Sequence, residues 1–180
     1  MNNNTKNTTM VNETYKILNS RISNLYQFVM HYNEYIYSSH KYYGDQALTM
    51  IEVHTLTYIE DNPGTTPAEL IKYWDKTKGA ISQILGRLEK WGLITKRKKE
   101  GNAKNIHLYV TPYGARMSQA HKVFDINDIA KTMSQLQEKC TTEEIEIFYK
   151  VIAVYNDVIK KDFELNSGHR SDKKEGNRCN

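Results

Sequence analysis

The spacing of hydrophobic residues changes several times along this chain, and each change marks an element. From residue 14 to 43, Leu18, Ile22, Leu25, Val29, Tyr32 and Ile36 alternate at four and three, the seam of a long helix. Thr66, Pro67 and Glu69 then supply a capping-box spacing with proline pre-set at the first helical position. Ala68, Leu70, Ile71, Tyr73 and Trp74 carry that helix for about two turns until Asp75 and Lys76 break it. Thr77 caps a second helix with apolar positions Ile81, Ile84, Leu85 and Leu88, a stripe that must face a core. It ends near Trp91 and Gly92, where glycine can take the left-handed conformation. Two short β-prone runs, 93–99 and 106–110, flank a Gly101-Asn102 turn signal. Thr111 and Pro112 open another helix, to about residue 139, with Ala115, Met117, His121, Phe124, Ile129, Met133 and Leu136 near one side. A last seam repeats at three and four through Ile145, Phe148, Ile152, Tyr155 and Ile159.

Helix, turn, helix, hairpin and restart, in that order, predict a mainly α fold with a small β-hairpin wing: a winged helix-turn-helix flanked by long helices. The second helix of the pair carries a polar strip opposite its core stripe. Lys78, Gly79, Ser82, Gln83, Gly86 and Arg87 recur there at helical spacing, just after Thr77. A glycine inside a helix costs roughly 1 kcal/mol relative to alanine, so two of them imply a reason outside helix stability, such as close approach to a partner. Arg and Lys suit guanine edges, Gln suits adenine and Ser suits either. An ordinary solvated helix face has a similar composition, and the hairpin is what separates the two readings. Lys96, Arg97, Lys98 and Lys99 on its first strand, with Asn102 and Lys104 toward its tip, can meet phosphates. Charged strands also protect sheet edges, which is the structural alternative.

Charge is concentrated on this segment. Residues 62–112 hold ten Lys or Arg against four acids, net +6, while the whole chain is +4 and everything else therefore sums to −2.

The run Leu48-Thr49 with Glu52, the sequence Leu88-Glu89-Lys90-Trp91-Gly92-Leu93-Ile94, the basic wing and Val110-Thr111-Pro112-Tyr113-Gly114 resemble MarR-type transcriptional regulators over about residues 13–165. The resemblance implies one MarR-like domain, with residues 44–114 as the DNA-binding lobe and 13–43 and 115–165 as dimerisation helices. It also implies a homodimer closed by the first and last helices, a double-stranded DNA operator with two-fold symmetry, and repression relieved by an effector. At the wing tip the chain departs from the family. Asn102, Ala103 and Lys104 stand where an aspartate followed by arginine is usual, which leaves Lys104 as a point charge without the buttressed arginine.

For an effector, Tyr26 on the first helix, His54 and Tyr58 on the second and His121 on the helix after the wing would line an aromatic crevice with hydroxyl and imidazole tips. Such a lining suits a small aromatic or phenolic acid. Thirteen tyrosines can also be a matter of composition. No cofactor is expected. No His pair stands at i, i+4 and no Cys or His lies in close ligand spacing, so no metal site is expected either, unless His40, His54 and His121 meet through the fold. Cys140 and Cys179 are too few for a disulfide framework, and Cys140 reads as a small buried residue. No nucleophile and base order, phosphate loop or carboxylate pair points to an enzyme.

At 180 residues with 39% hydrophobic content, the chain can bury one proper core. Residues 1–12 and 166–180 are polar and predict disordered tails. No apolar run predicts a membrane span or a signal peptide, which implies a cytoplasmic protein. Two alternatives stay open: a winged helix used as a protein-interaction module, and a sequence-indifferent architectural DNA binder.

Overall fold

The computed structural model describes residues 3–99 and 102–175, with side chains from 8–98 and 106–163. Its elements in order are α1 (Asn3–Tyr37), β1 (Ser39–Lys41), β2 (Ala47–Thr49), α2 (Met50–Asp61), α3 (Pro67–Trp74), α4 (Lys78–Lys90), β3 (Ile94–Lys99), β4 (Asn102–Val110), α5 (Pro112–Gln137) and α6 (Thr142–Glu175). The chain divides into two compact units, residues 1–125 and 126–180.

Local chemistry fixes the helix starts. Thr66 accepts from the Glu69 backbone N–H while the Glu69 carboxylate accepts from Thr66, and Thr49 and Glu52 repeat this box at the head of α2. The backbone hydrogen bond from Thr66 holds the Glu69 carboxyl below its ordinary pKa. Thr77 caps α4 through the Ala80 N–H, and Thr111 Oγ1 accepts from Gly114 N at 2.9 Å at the head of α5. The turn joining α3 to α4 passes through Asp75, which ends α3 in the left-handed region at φ 48°.

The core of the first unit is built from Leu48, Val53, Leu56, Ile59, Leu70, Ile81, Leu88, Leu93, Leu108 and Met117, all essentially inaccessible. Every apolar α4 position read from the pattern is buried. Gly114 brings α5 against the chain that leaves α4, since a Cβ there would lie 2.0 Å from the Leu93 carbonyl oxygen. Strand β4 pairs antiparallel with β3, from Ile94 opposite Val110 to Lys99 opposite Asn102, with an irregularity at Lys98/Lys99. Its other side is tied to the loop before α3: Gly64 N donates to Leu108 O and Leu108 N donates to Thr65 O, both at 2.9 Å.

Several expectations need correction. The first helix ends at Tyr37, not residue 43, and β1 and β2 form a hairpin with His40 opposite Leu48. Burial of Leu48 and strand pairing outweigh continuation of the seam. Both terminal helices also run further than the polar composition suggested, α1 from Asn3 and α6 to Glu175. Neither extension contains proline to stop it. Residues 176–180 of the expected C-terminal tail lie outside the described residues. The second wing strand begins at Asn102 instead of residue 106. Cys140 is exposed, not buried, because it stands between α5 and α6 where no core covers it. Among the described residues no helix is long and apolar enough to cross a membrane.

Candidate nucleic-acid interface

Helix α4 presents the polar strip outward. Thr77, Lys78, Gly79, Ser82, Gln83, Gly86 and Arg87 are all exposed, whereas Ile81, Ile84, Leu85 and Leu88 of the same helix are buried. The two glycines answer to nothing inside the protein. A Cβ at Gly86 would meet no atom within 4 Å, and one at Gly79 only Thr77 Oγ1 at 4.0 Å. Their helical cost is thus uncompensated within the chain.

Arg87 is engaged differently from the rest of the strip. Its Nε donates to Glu52 Oε1, and Glu52 is only 2% exposed. The other oxygen, Oε2, accepts from Thr49 N and Thr49 Oγ1, both at 2.9 Å. One buried carboxylate therefore caps α2 and holds α4. A charge this deep is tolerated because both oxygens have partners. This pairing joins residues 35 apart, and the sequence reading missed it, having treated Glu52 only as part of a family motif. A cleft of about 190 Å³, lined in part by Thr49, Ile51, Lys76, Gln83 and Arg87, lies beside this pair.

The wing carries its cations on exposed β3 positions. Lys96 Nζ lies 2.7 Å from Glu89 Oε2, and Arg97 stacks over the Tyr109 ring at 4.8 Å. Lys98 is exposed. The side chains of Lys99, Asn102 and Lys104 lie outside the described residues. His107 Nδ1 contacts the Gly64 carbonyl at 2.8 Å, fixing the base of the wing a second time.

The four residues expected to line an aromatic pocket do not come together. Tyr26 is exposed on α1, and Tyr58 packs on Tyr73 with ring centroids 4.3 Å apart. His54 and His121 do meet, edge to face at 4.6 Å. Asp125 joins them: its Oδ2 is 3.2 Å from His121 Nε2 and 3.5 Å from His54 Nε2. His40 instead packs beside Tyr42 and Phe124 and bonds to Ser38 Oγ. Burial, with His54 and Lys122 nearby, pushes the His121 imidazole down to about 4, so it is neutral at physiological pH. Of the three histidines that could meet through the fold, His54 and His121 do, and with Asp125 they offer ligand atoms within 4.8 Å of one another. His121 and Asp125 stand at i, i+4 on α5, a spacing legible in the sequence as a His–Asp pair. His54 is reachable only through the fold.

The packing of α2 on the start of α5 sets this geometry. Ser118 Oγ reaches Thr57 Oγ1 at 3.0 Å and Glu60 Oε2 at 2.7 Å, and Lys122 Nζ reaches Glu60 and Asp61 at 2.9 and 2.7 Å. Those two carboxylates hold the Lys122 ammonium above its ordinary pKa.

Residues 48–104 match a model of the MarR family. Over those residues the winged-helix lobe is similar to the MarR family. A curated relative, the uncharacterized HTH-type transcriptional regulator YhjH of Bacillus subtilis, is 26% identical over 98 residues, 54% of this chain and 55% of that protein. The chain thus spans about half the length of this relative. Among solved structures, Streptococcus pneumoniae FabT in complex with DNA is 22% identical with a TM-score of 0.59, covering 82% of this chain and 98% of FabT. Lactococcus lactis ZitR in complex with DNA is 19% identical with a TM-score of 0.62, covering 79% and 97%. At these identities the likeness establishes the fold. It places the lobe within a mainly helical winged-helix architecture.

Proposed function

We propose that this MarR-type protein is a double-stranded DNA-binding transcriptional regulator that acts as a homodimeric repressor on a pseudo-palindromic operator. The observation that carries this reading is the α4 strip: exposed donors around two glycines whose Cβ positions are open. A helix in a major groove benefits from such low relief, because backbone and base edges then approach closely. FabT and ZitR, of the same fold, were solved in complex with DNA. In this reading Lys78, Ser82 and Gln83 meet bases, Lys96, Arg97 and Lys98 meet phosphates, and Lys99, Asn102 and Lys104 extend that contact toward the minor groove. Arg87, expected to read a base, positions α4 through Glu52.

Dimerisation is supported by exposed apolar surface that a lone chain leaves uncovered. Leu18, Val29 and Met30 on α1, and Phe148, Tyr155 and Ile159 on α6, are each 40% or more exposed. Apolar patches of this extent mark interaction surfaces, and a two-fold dimer presents two recognition helices to half-sites one helical turn apart. Ile22, Leu25 and Ile152 of the expected seams are half-buried and Ile145 is buried. A cytoplasmic location follows from access to DNA.

The test is selection of sites from randomised duplexes at about physiological salt. A two-fold consensus is expected, with Gln83→Ala costing about 1–3 kcal/mol at one operator position and Lys98→Ala weakening all sequences alike. Salt-sensitive binding without a consensus would favour an architectural role. No binding would favour a protein-interaction module.

A further inference from the structure

We infer that His54, His121 and Asp125 form a binding site for a zinc-class divalent transition metal, joining α2 to α5, and that the bound ion changes operator affinity. The second half of this inference rests on the DNA-binding reading; the first does not.

Geometry leads to the site. A tetrahedral ion with bonds of about 2.0–2.1 Å has ligand atoms about 3.3–3.4 Å apart. The two imidazole Nε2 atoms lie 3.5 and 3.2 Å from the same carboxylate oxygen, which brackets that edge. At 3.5 Å the His54 contact is too long for a good hydrogen bond, yet it suits two ligands of one ion. Two imidazoles with one carboxylate select zinc and its neighbours over magnesium or calcium, which prefer oxygen ligands throughout. A fourth position is left for water or another donor.

The site's construction is unlike that of a surface cluster. His121 is 2% exposed, so its Nε2 faces Asp125 from within the protein. Tyr42 packs edge-on to His121 at 4.8 Å and to Phe124 at 5.2 Å, walling the site with aromatic surface. The hydrogen bonds through Ser118 and Lys122 fix the two helices in register below it.

Regulation follows from what else α2 carries. His54 stands two residues after Glu52, whose carboxylate holds Arg87 of the recognition helix. An ion that fixes α2 against α5 bears on that helix, and thereby on the placement of α4. Such coupling requires unequal metal affinity in the DNA-bound and free states.

Co²⁺ is the probe, titrated into chelator-stripped full-length protein without DNA. One Co²⁺ per protomer should bind with the visible d–d spectrum of a low-coordinate nitrogen and oxygen site, and Zn²⁺ should displace it. His54→Gln and Asp125→Asn, both at partly accessible positions, should each weaken binding by about tenfold or more, while His40→Gln should leave it unchanged. Absence of saturable Co²⁺ binding, or equal affinity in wild type and both variants, overturns the site. Operator affinity is then measured with and without Zn²⁺. A change of about fivefold or more in wild type, absent in Asp125→Asn, supports the regulatory role. Equal affinities overturn that role and leave the site. Loss of DNA binding by metal-free wild type and zinc-loaded protein alike would instead count against the DNA-binding reading.

Discussion

The winged-helix lobe and the terminal helices solve the burial of apolar side chains in opposite ways. In the lobe, helices as short as α3 are held because nearly every apolar position meets another: Leu70, Ile81, Leu88 and Leu108 are buried within one chain. In α1 and α6, which are far longer, large apolar residues such as Val29, Met30, Val154 and Ile159 are more than half exposed. Helix length gives no measure of self-sufficiency. A helix becomes stable in a protein mainly through tertiary packing of its apolar face, and the long helices have more such face than one chain covers.

Substitutions in the two regions should therefore fail differently. Leu88→Ala in the lobe should cost about 2–5 kcal/mol in denaturant unfolding and remove DNA binding with it. Ile159→Asp on α6 should leave the lobe folded but shift sedimentation from dimer to monomer; a dimer of unchanged affinity would break the contrast. Between these extremes, Arg87→Ala should destabilise by about 1–3 kcal/mol. It leaves the Glu52 carboxylate buried with one partner fewer, and the value is reduced because the guanidinium is half in solvent. Gly86→Ala should act with opposite signs in two assays, raising stability by up to about 1 kcal/mol while weakening operator binding. A gain in both would remove the reason given for that glycine. The smallest effect belongs to Thr66→Ala, about 1 kcal/mol. The Glu69 carboxyl is held below its ordinary pKa in the folded state, so its share of this cap is complete above that ordinary value. It is lost as pH falls through the lowered one, and a melting comparison between wild type and variant across that range should narrow accordingly.

What could be read from sequence was local. Thr66 with Glu69, Thr77, Thr111 with Pro112 and the α4 stripe each act within four residues, and all stand in the structure as the spacing implied. The hairpin at 39–49 was hidden because its short strands sit at the end of a convincing helical seam, and only Gly44-Asp45 hinted at a turn. Partnerships across the fold were illegible. Arg87 looked like any other donor until Glu52 was brought beneath it, and the sequence named His54 and His121 together without placing Asp125 between them. Spacing reports which face a residue occupies, not what the next element sets against it.

The double tie at Leu108 has a consequence for solution behaviour. A two-stranded ribbon ordinarily offers its outer backbone to any passing strand, the commonest route to intermolecular sheet growth. Here the outer side of β4 is occupied near its base by Gly64 and Thr65, while β3 bears a run of cations. The outer backbone of β4 near its base is thereby denied to a strand of another copy, and the charges on β3 oppose pairing along the other edge.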